Sequence, residues 1–147
     1  MKQIIIRVYG IWIDENARVL LSDERIGNRE FTKFPGGGLE PGEGTHDALR
    51  REWMEELEAP IDIIKHVYTT DFFQASAFHE NTQIISIYYR VEPTETPKVP
   101  IYNEHQPFKN EGDREEIFRW VYLDDLKEDM LTFPIDKKIA NFLLSKY

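Results

Sequence analysis

The sequence predicts an α/β fold, a single domain over residues 1–147 with a mixed central β-sheet and helices on both of its sides. Three observations lead to this prediction. Runs of β-branched and aromatic residues flank a central segment, that segment has the apolar spacing of a helix, and a second helical segment closes the chain. A chain of this length with 41% hydrophobic residues can bury the core of one domain.

The first part of the chain predicts two strands. Gln3 to Ile13 is rich in Ile, Val, Tyr and Trp, and Ala17 to Leu21 is a second short apolar run. Between them, Asp14 to Asn16 contains residues that favour turns, which predicts a hairpin. Arg25 to Thr32 is polar and contains one glycine, so we expect a loop there.

A glycine-rich segment then leads into the central helix. Phe34 to Gly44 holds five glycines and two prolines, a composition that predicts neither a helix nor a regular strand. Thr45 to Leu57 contains no glycine or proline, and its apolar residues recur every four positions, which predicts a helix. Pro60 is expected to end this helix because it disfavours a helical conformation at the residue before it. The apolar stripe consists of Leu49, Trp53 and Leu57.

Strands and a terminal helix are predicted for the second half of the chain. Ile61 to Phe73, Thr82 to Val91 and Ile117 to Leu123 are rich in strand-forming residues. Glu92 to Asn110 carries four prolines and predicts a long irregular excursion of the kind that is often functional. The helical predictions are a short helix over Asp124 to Glu128 and a terminal helix over Ile135 to Lys146, with Ile139, Phe142 and Leu143 on one face.

Composition and charge exclude several kinds of site and partner. The absence of cysteine excludes disulfides, zinc–thiolate sites and a cysteine nucleophile. A net charge of −9 argues against long DNA or RNA as a partner, whereas an acidic protein can still take an anionic substrate through a bound cation. Met1 to Arg7 lacks the features of a targeting segment, and no apolar run is long enough for a membrane helix. We therefore expect a cytoplasmic protein.

Three glutamates of the central helix have a spacing that suits a metal ion. Glu52, Glu55 and Glu56 stand at positions i, i+3 and i+4, so their side chains share one helix face. Like charges at this spacing repel each other, and a hard cation among them makes the arrangement favourable. Oxygen-only ligands suit Mg²⁺ or Mn²⁺. Taken alone, three such glutamates are more often a solvated surface, so the prediction depends on the segment before them.

The glycine-rich segment supplies that second feature. Glycines let the backbone pass close to a ligand or a metal. The segment runs directly into the N-terminus of the helix, where unpaired N–H groups favour anions. A metal held by the glutamates beside such a loop would form a site for a diphosphate.

The spacing of these residues resembles the Nudix box, G-x5-E-x7-R-E-U-x-E-E-x-G-U, in which U is a bulky apolar residue. The match runs from Gly37 to Ala59, and seven of the nine constrained positions fit. Two positions depart from the pattern, because Glu58 replaces a glycine and the final residue is small. That glycine commonly ends the helix in a left-handed conformation, and we expect Pro60 to end it here instead.

The resemblance implies a metal site on a Nudix-type α/β/α sandwich. Glu52, Glu55 and Glu56 are similar to the metal-binding and water-activating glutamates of the family. The main-chain carbonyl of Gly36 resembles a further metal ligand. The implied cofactor is Mg²⁺ or Mn²⁺, and the implied catalytic residues are Glu52, Arg51 and Glu55.

The resemblance also implies roles for the residues around the metal ligands. Arg51 and Glu43 are similar to a pair that orients the carboxylates, with Glu43 in structural support of the site. The guanidinium of Arg51 can alternatively bind a phosphate, since its planar fork suits either partner. Gly37 and Gly38 are the substrate-binding residues that the loop supplies.

Two candidates lie outside the box. Many Nudix proteins add an acid from the region before the penultimate strand, where Glu111, Glu115 and Glu116 stand in this sequence. The alternative is an ordinary charged loop, and Glu115 is our preferred additional metal ligand. Asp136 stands at the start of the predicted last helix, where it can cap the helix or contact the base of a nucleotide; we predict it as a substrate-binding residue.

The predicted function is that of a Nudix-type pyrophosphohydrolase. Activated water would attack phosphorus and cleave the diphosphate linkage of a small nucleotide-like substrate, such as a nucleoside triphosphate, a nucleotide sugar or ADP-ribose. The alternative is a catalytically silent Nudix-like module that binds nucleotides or regulates another protein. Messenger-RNA decapping is a third interpretation, which the charge of −9 disfavours. The family resemblance also makes a homodimer possible.

Overall fold

A computed structural model describes residues 1–146 of the chain. The elements in chain order are β1 (Gln3–Ile11), β2 (Arg18–Ile26), β3 (Arg29–Lys33), β4 (Gly36–Gly38), α1 (Thr45–Leu57), β5 (Ile61–Thr69), β6 (Thr82–Pro93), β7 (Ile101–Tyr102), β8 (Arg114–Tyr122) and α2 (Pro134–Lys146). Two short 3₁₀ helices, Leu123–Asp125 and Glu128–Met130, lie where the sequence predicted one short helix.

The chain forms two compact units. The first consists of Met1–Ile11 and Gly36–Lys98, and the second of Trp12–Pro35 and the described residues from Val99 onward. Each unit contains one four-stranded mixed sheet and one long helix, so the predicted α/β class is confirmed. The sequence predicted one mixed sheet, whereas the structure distributes the strands between two.

The sheet of the first unit has the strand order β4-β1-β6-β5. β1 and β6 run parallel, and the other two pairs are antiparallel. The prediction that the glycine-rich segment contains no strand was wrong for Gly36–Gly38, which pairs with Arg7 to Tyr9 of β1. The glycines allow this pairing, because a side chain on Gly36 would collide with the carbonyl oxygen of Val8.

The helix α1 has the predicted bounds, and its apolar stripe of Leu49, Trp53 and Leu57 is completely buried. β1 accommodates the largest of these side chains at Gly10, where an added Cβ would lie 2.6 Å from the indole nitrogen of Trp53. The fit of the indole against a glycine sets how closely the helix packs on its own sheet.

The end of α1 differs from the prediction. Glu58 itself takes the left-handed conformation, with φ 50° and ψ 45°, and its backbone N–H bonds to the carbonyl of Met54. The predicted termination by Pro60 was therefore wrong, because the helix has already ended at Leu57. A residue with a Cβ adopts the conformation that the family pattern gives to a glycine, at a steric cost.

The sheet of the second unit has the strand order β3-β2-β8-β7. Arg25 to Thr32, predicted as a loop, is mostly strand, since β2 continues to Ile26 and β3 begins at Arg29. The polar composition had predicted a loop, because the sequence does not show that the charged side chains of these strands pair within the sheet. Arg119 of β8, for example, donates from Nε to Asp23 of β2 at 2.6 Å.

The helix α2 buries Ile139 and Leu143, whereas Phe142, which was predicted to share a face with them, is 41% exposed. At about 100° per residue, Phe142 lies to one side of Ile139 while Leu143 and Ala140 lie to the other. Within the part of the chain that the structure describes, no helix is both long enough and apolar enough to span a membrane.

Candidate active site

The N-terminal half of α1 is braced by an ion pair between Arg51 and Glu43. Arg51 donates from Nε to Glu43 Oε2 at 2.7 Å and from Nη2 to Glu43 Oε1 at 2.9 Å. Glu43 Oε1 also accepts a hydrogen bond from the backbone N–H of Glu40 at 2.9 Å. These bonds, that from Arg51 foremost, hold the pKa of Glu43 below its usual value and raise the pKa of Arg51. Both side chains therefore stay charged at neutral pH.

The same guanidinium reaches the backbone of β4 and two glutamates of the helix. Its Nη2 donates to the Gly38 carbonyl at 2.9 Å, which ties α1 to the glycine-rich segment. Its Nη1 lies 3.2 Å from Glu52 Oε1 and 3.3 Å from Glu55 Oε2. Arg51 is thus the shared partner that holds several like charges near each other.

The carboxylate of Glu52 lies directly against the backbone of Gly37. An added Cβ at Gly37 would stand 2.5 Å from both the Cδ and the Oε1 of Glu52. The glycine is needed because no other residue leaves room for the carboxylate. The side chain of Glu52 is 13% exposed, whereas that of Glu55 is 58% exposed. Glu52 is consequently the more fixed of the two.

The donor set on this helix face fits a hard divalent cation. Glu52, Glu55 and Glu56 offer carboxylate oxygens only, and one oxygen of Glu56 is buried. Gly36, whose carbonyl is the fourth predicted ligand, lies in β4 opposite Tyr9. Oxygen-only ligands of this kind are what Mg²⁺ and Mn²⁺ prefer.

The side chains do not form a closed ligand shell. Among residues 1–146, no three acidic or histidine side chains converge closely enough to hold a metal ion as they stand. Electrostatics accounts for this, because uncompensated carboxylates repel each other and Arg51 already neutralises part of their charge. A cation would have to draw the glutamates of α1 together.

The family model described as the NUDIX domain matches residues 4–142 of the chain. The chain belongs to the Nudix family. This match confirms the predicted family and the prediction of a Nudix-type pyrophosphohydrolase. No functionally curated protein matches the sequence.

Solved Nudix structures share the fold of this Nudix chain. The solution structure of the E. coli ORF135 protein has 19% identity and a TM-score of 0.71 over 97% of this chain and 90% of its own. The MutT Nudix hydrolase from Burkholderia pseudomallei has 21% identity and a TM-score of 0.70 over 97% and 99%. The MutT protein from methicillin-resistant Staphylococcus aureus 252 has 24% identity and a TM-score of 0.62 over the whole of both chains.

Glu115, the acid predicted to join the Nudix site from outside the box, has partners within the second unit. It accepts hydrogen bonds from Arg25 Nε at 2.6 Å and from the backbone N–H groups of Lys109 and Asn110 at 2.7 and 2.9 Å. Burial alone would raise the pKa of Glu115, but these bonds outweigh it and hold the pKa below its usual value. A structural role explains these contacts without a metal.

Glu111 and Asp136, which were also named as candidates outside the box, lie in the second unit as well. Glu111 contributes its main-chain carbonyl to Arg25 at 3.0 Å, and its side chain is exposed. Asp136 stands in the first turn of α2 and is only 2% exposed. A base could reach Asp136 only if neighbouring side chains moved, and its substrate-binding role stays a prediction.

A buried polar cluster in the second unit was not predicted from the sequence. Lys33, 3% exposed, has its ammonium 3.6 Å from Glu24 and 3.6 Å from Glu116. Ser22 is completely buried and donates its hydroxyl to Glu116 at 2.6 Å. The alternation of Ser22 and Glu24 along one strand is the signal that could have indicated a shared polar face. Glu115 and Glu116, as neighbours in β8, point to opposite faces of that strand.

Proposed function

We propose that this Nudix protein is a metal-dependent hydrolase that cleaves the diphosphate linkage of a small nucleoside diphosphate derivative. The observation that supports it most directly is the brace of Arg51 and Glu43, which holds Glu52 against Gly37 at 13% exposure. A carboxylate held in this way beside a glycine backbone is positioned to act on a phosphate that approaches the loop.

In the proposed mechanism the residues of the site divide metal binding, proton transfer and positioning among them. Glu55, Glu56 and the Gly36 carbonyl would hold the cation, together with Glu52 when it is not acting as the base. When bound, Mg²⁺ or Mn²⁺ supplies positive charge that lowers the pKa of attacking water and offsets charge on the leaving phosphate.

The proton of the attacking water is accepted by a nearby carboxylate. We assign this task to Glu52, because its contact with Gly37 and with Arg51 fixes the direction of its oxygens. Arg51 orients Glu52 through its contact at 3.2 Å, and in the alternative role its planar guanidinium contacts a phosphate. The backbone of Gly37 and Gly38 lets the diphosphate approach closely.

The substrate is proposed to be small and nucleotide-like. The net charge of −9 disfavours long nucleic acids, which supports a nucleoside triphosphate, a nucleotide sugar or ADP-ribose over capped RNA. One structural neighbour, described as a UDP-X diphosphatase, has 17% identity and a TM-score of 0.61 over 97% of this chain and 61% of its own. Its name is a reason to include UDP-linked compounds among the test substrates.

Location and assembly complete the proposal. We infer a cytoplasmic protein from the absence of cysteine, which agrees with a reducing compartment. We also propose a homodimer, as the family resemblance implies. Light scattering coupled to size-exclusion chromatography would measure the mass, and a single species of 17.4 kDa would overturn the dimer.

A substrate panel with matched variants tests the function. Phosphate release, with added phosphatase to convert phosphomonoesters, is measured for nucleoside di- and triphosphates, nucleotide sugars, dinucleoside polyphosphates and ADP-ribose with Mg²⁺ or Mn²⁺. We expect turnover of one class that EDTA stops and Mg²⁺ restores. Glu56→Gln should abolish most turnover, whereas Glu58→Gln, two residues further and outside the helix, should not.

Each failure has a separate meaning. Turnover that chelation leaves untouched would overturn the metal mechanism, and full activity in Glu56→Gln would remove that residue from the ligand set. Binding of a nucleotide in a thermal-shift screen, without turnover of any compound, would favour the silent binding module.

A further inference from the structure

The C-terminal end of α1 is held by a segment distant in sequence. The carbonyl oxygen of Leu57, the last helical residue, accepts a hydrogen bond from the backbone N–H of Lys98 at 3.2 Å. The carbonyl of Pro60 accepts two more from Thr94, from its backbone N–H at 2.9 Å and its hydroxyl at 3.4 Å. Residues 94–98, which we name the clamp segment, thus hold both ends of the turn that follows α1.

The local sequence closes this end of the helix only weakly. The last carbonyls of any helix lack partners within the helix. Here the N–H of Glu58 reaches the Met54 carbonyl at 3.2 Å, and the N–H of Ala59 reaches the Trp53 carbonyl only at 3.5 Å. Glu58 also has the left-handed conformation that glycine adopts more readily. The clamp segment bonds to the carbonyls of Leu57 and Pro60, which these cap bonds do not reach.

The clamped end is the part of α1 that carries two of the proposed metal ligands. Glu55 and Glu56 stand within two residues of the Leu57 carbonyl, whereas Glu52 and Arg51 lie more than a turn away. The brace of Arg51 and Glu43 fixes that earlier part of the helix. Arg51 Nη1 also reaches this last turn, at 3.3 and 3.4 Å from the exposed carboxylate of Glu55, but these contacts are longer than its bonds of 2.7 and 2.9 Å to Glu43.

We propose that the clamp segment is a positioning element for Glu55 and Glu56, an inference that rests on the proposed metal-dependent function. It fixes the last turn of α1, so that the two carboxylates meet the cation without first ordering the helix end. Preorganised ligands bind a metal more tightly because the ordering does not have to occur on binding. The first part of the irregular excursion thereby has a role at the site.

Three substitutions test this role. Lys98→Pro removes the N–H that bonds to Leu57, and Lys98→Ala keeps that N–H as the matched control. Pro97→Gly loosens the clamp segment without removing a donor. Hydrogen exchange of the amides of residues 55–59 is measured in metal-free protein, and Mn²⁺ affinity is measured by titration of the same proteins.

We expect Lys98→Pro to exchange these amides about tenfold faster and to bind Mn²⁺ about tenfold more weakly, the scale of one net hydrogen bond. Lys98→Ala should match the parent in both measurements, and Pro97→Gly should fall between the two. Amides near Arg51 should keep their protection in every variant, because the brace is untouched.

Other results would overturn the inference. Unchanged exchange at residues 55–59 in Lys98→Pro would show that the clamp segment does not hold the helix end. Faster exchange with unchanged Mn²⁺ affinity would leave the segment a structural role only. If Lys98→Pro fails to fold, Pro97→Gly decides by the same two measurements. If the parent protein binds no Mn²⁺, the proposed function is overturned as well. If the parent binds Mn²⁺ and Lys98→Pro binds it equally well, only the proposed role of the clamp segment is overturned.

Discussion

Arg51 donates two parallel hydrogen bonds to the carboxylate of Glu43, from Nε at 2.7 Å and from Nη2 at 2.9 Å. The remaining donor, Nη1, is left to face Glu52 and Glu55. Because the guanidinium group is planar and rigid, the two hydrogen bonds to Glu43 fix the direction in which Nη1 points. One residue thus links the loop before α1 to the glutamates on it.

Arg51→Lys should lower kcat by roughly 10- to 100-fold, as for other residues that orient metal ligands. Lysine keeps the charge, but it cannot form the bidentate hydrogen bonds to Glu43 and at the same time reach Glu52 and Glu55. Arg50→Lys is the matched control, because Arg50 is the exposed neighbour on the same helix. Steady-state kinetics of both variants checks this. Equal kcat values for Arg51→Lys and the parent would show that the guanidinium group has no role beyond its charge.

Gly37→Ala should displace the Glu52 carboxylate, since the new Cβ would stand 2.5 Å from it. We expect weaker Mn²⁺ binding and a loss of kcat of roughly 100-fold, the scale of misplacing a reacting group. For Mn²⁺ binding, Gly38→Ala is the packing control, because the nearest atom to its Cβ would be 4.0 Å away, on Arg7. If both variants bind Mn²⁺ like the parent, the contact between Gly37 and Glu52 is not what positions the site.

Glu58→Gly should stabilise the protein by about 1 kcal/mol, because glycine adopts the left-handed conformation without steric cost while glutamate does not. Glu58→Ala keeps the Cβ and should leave stability within about 0.5 kcal/mol of the parent. Urea denaturation of the three proteins measures the difference. A Glu58→Gly variant no more stable than Glu58→Ala would refute the account of strain at this helix end.

Glu115→Gln should destabilise the protein at neutral pH, because the carboxylate accepts three hydrogen bonds that hold residues 109–110 and Arg25. The pKa of Glu115 is lowered in the folded protein, so this stability is present above its unfolded pKa and is lost as pH falls through the folded value. Urea midpoints of variant and parent should therefore differ at about pH 7 and converge once the pH falls below the folded pKa of Glu115.

The same variant separates a structural role of Glu115 from the predicted role as a metal ligand. If Mn²⁺ affinity stays at the level of the parent, the residue acts only within its own unit. A clear loss of affinity, absent in the exposed control Glu111→Gln, would support the metal-ligand prediction.

Local periodicity was sufficient for the helix that carries the site. The bounds Thr45–Leu57 and the burial of Leu49, Trp53 and Leu57 were both confirmed. The spacing from Gly37 to Ala59 also identified the family correctly, since that pattern is long and lies in one continuous stretch. Such features depend on residues close in sequence, which is why the sequence alone could predict them.

Other features depend on partners that are distant in sequence. Gly36–Gly38 became a strand only because β1 lies beside it, and the strands around Arg25 depend on the charges of β8 that pair with them. The buried ammonium of Lys33 needs both Glu24 and Glu116 as partners. The alternation within β2 does not predict that Lys33 of β3 and Glu116 of β8 lie beside Glu24.

What the sequence by itself determined is the set of residues at the candidate site: the glutamates, the glycines and the arginine at fixed spacing on one helix and its loop. What only the tertiary structure decided is how that helix is held. Glu58 ends it in a strained conformation, and Lys98 satisfies its last carbonyl from forty-one positions along the chain. Helix termini need external hydrogen-bond partners, and the chain can supply these from any position that folding brings near.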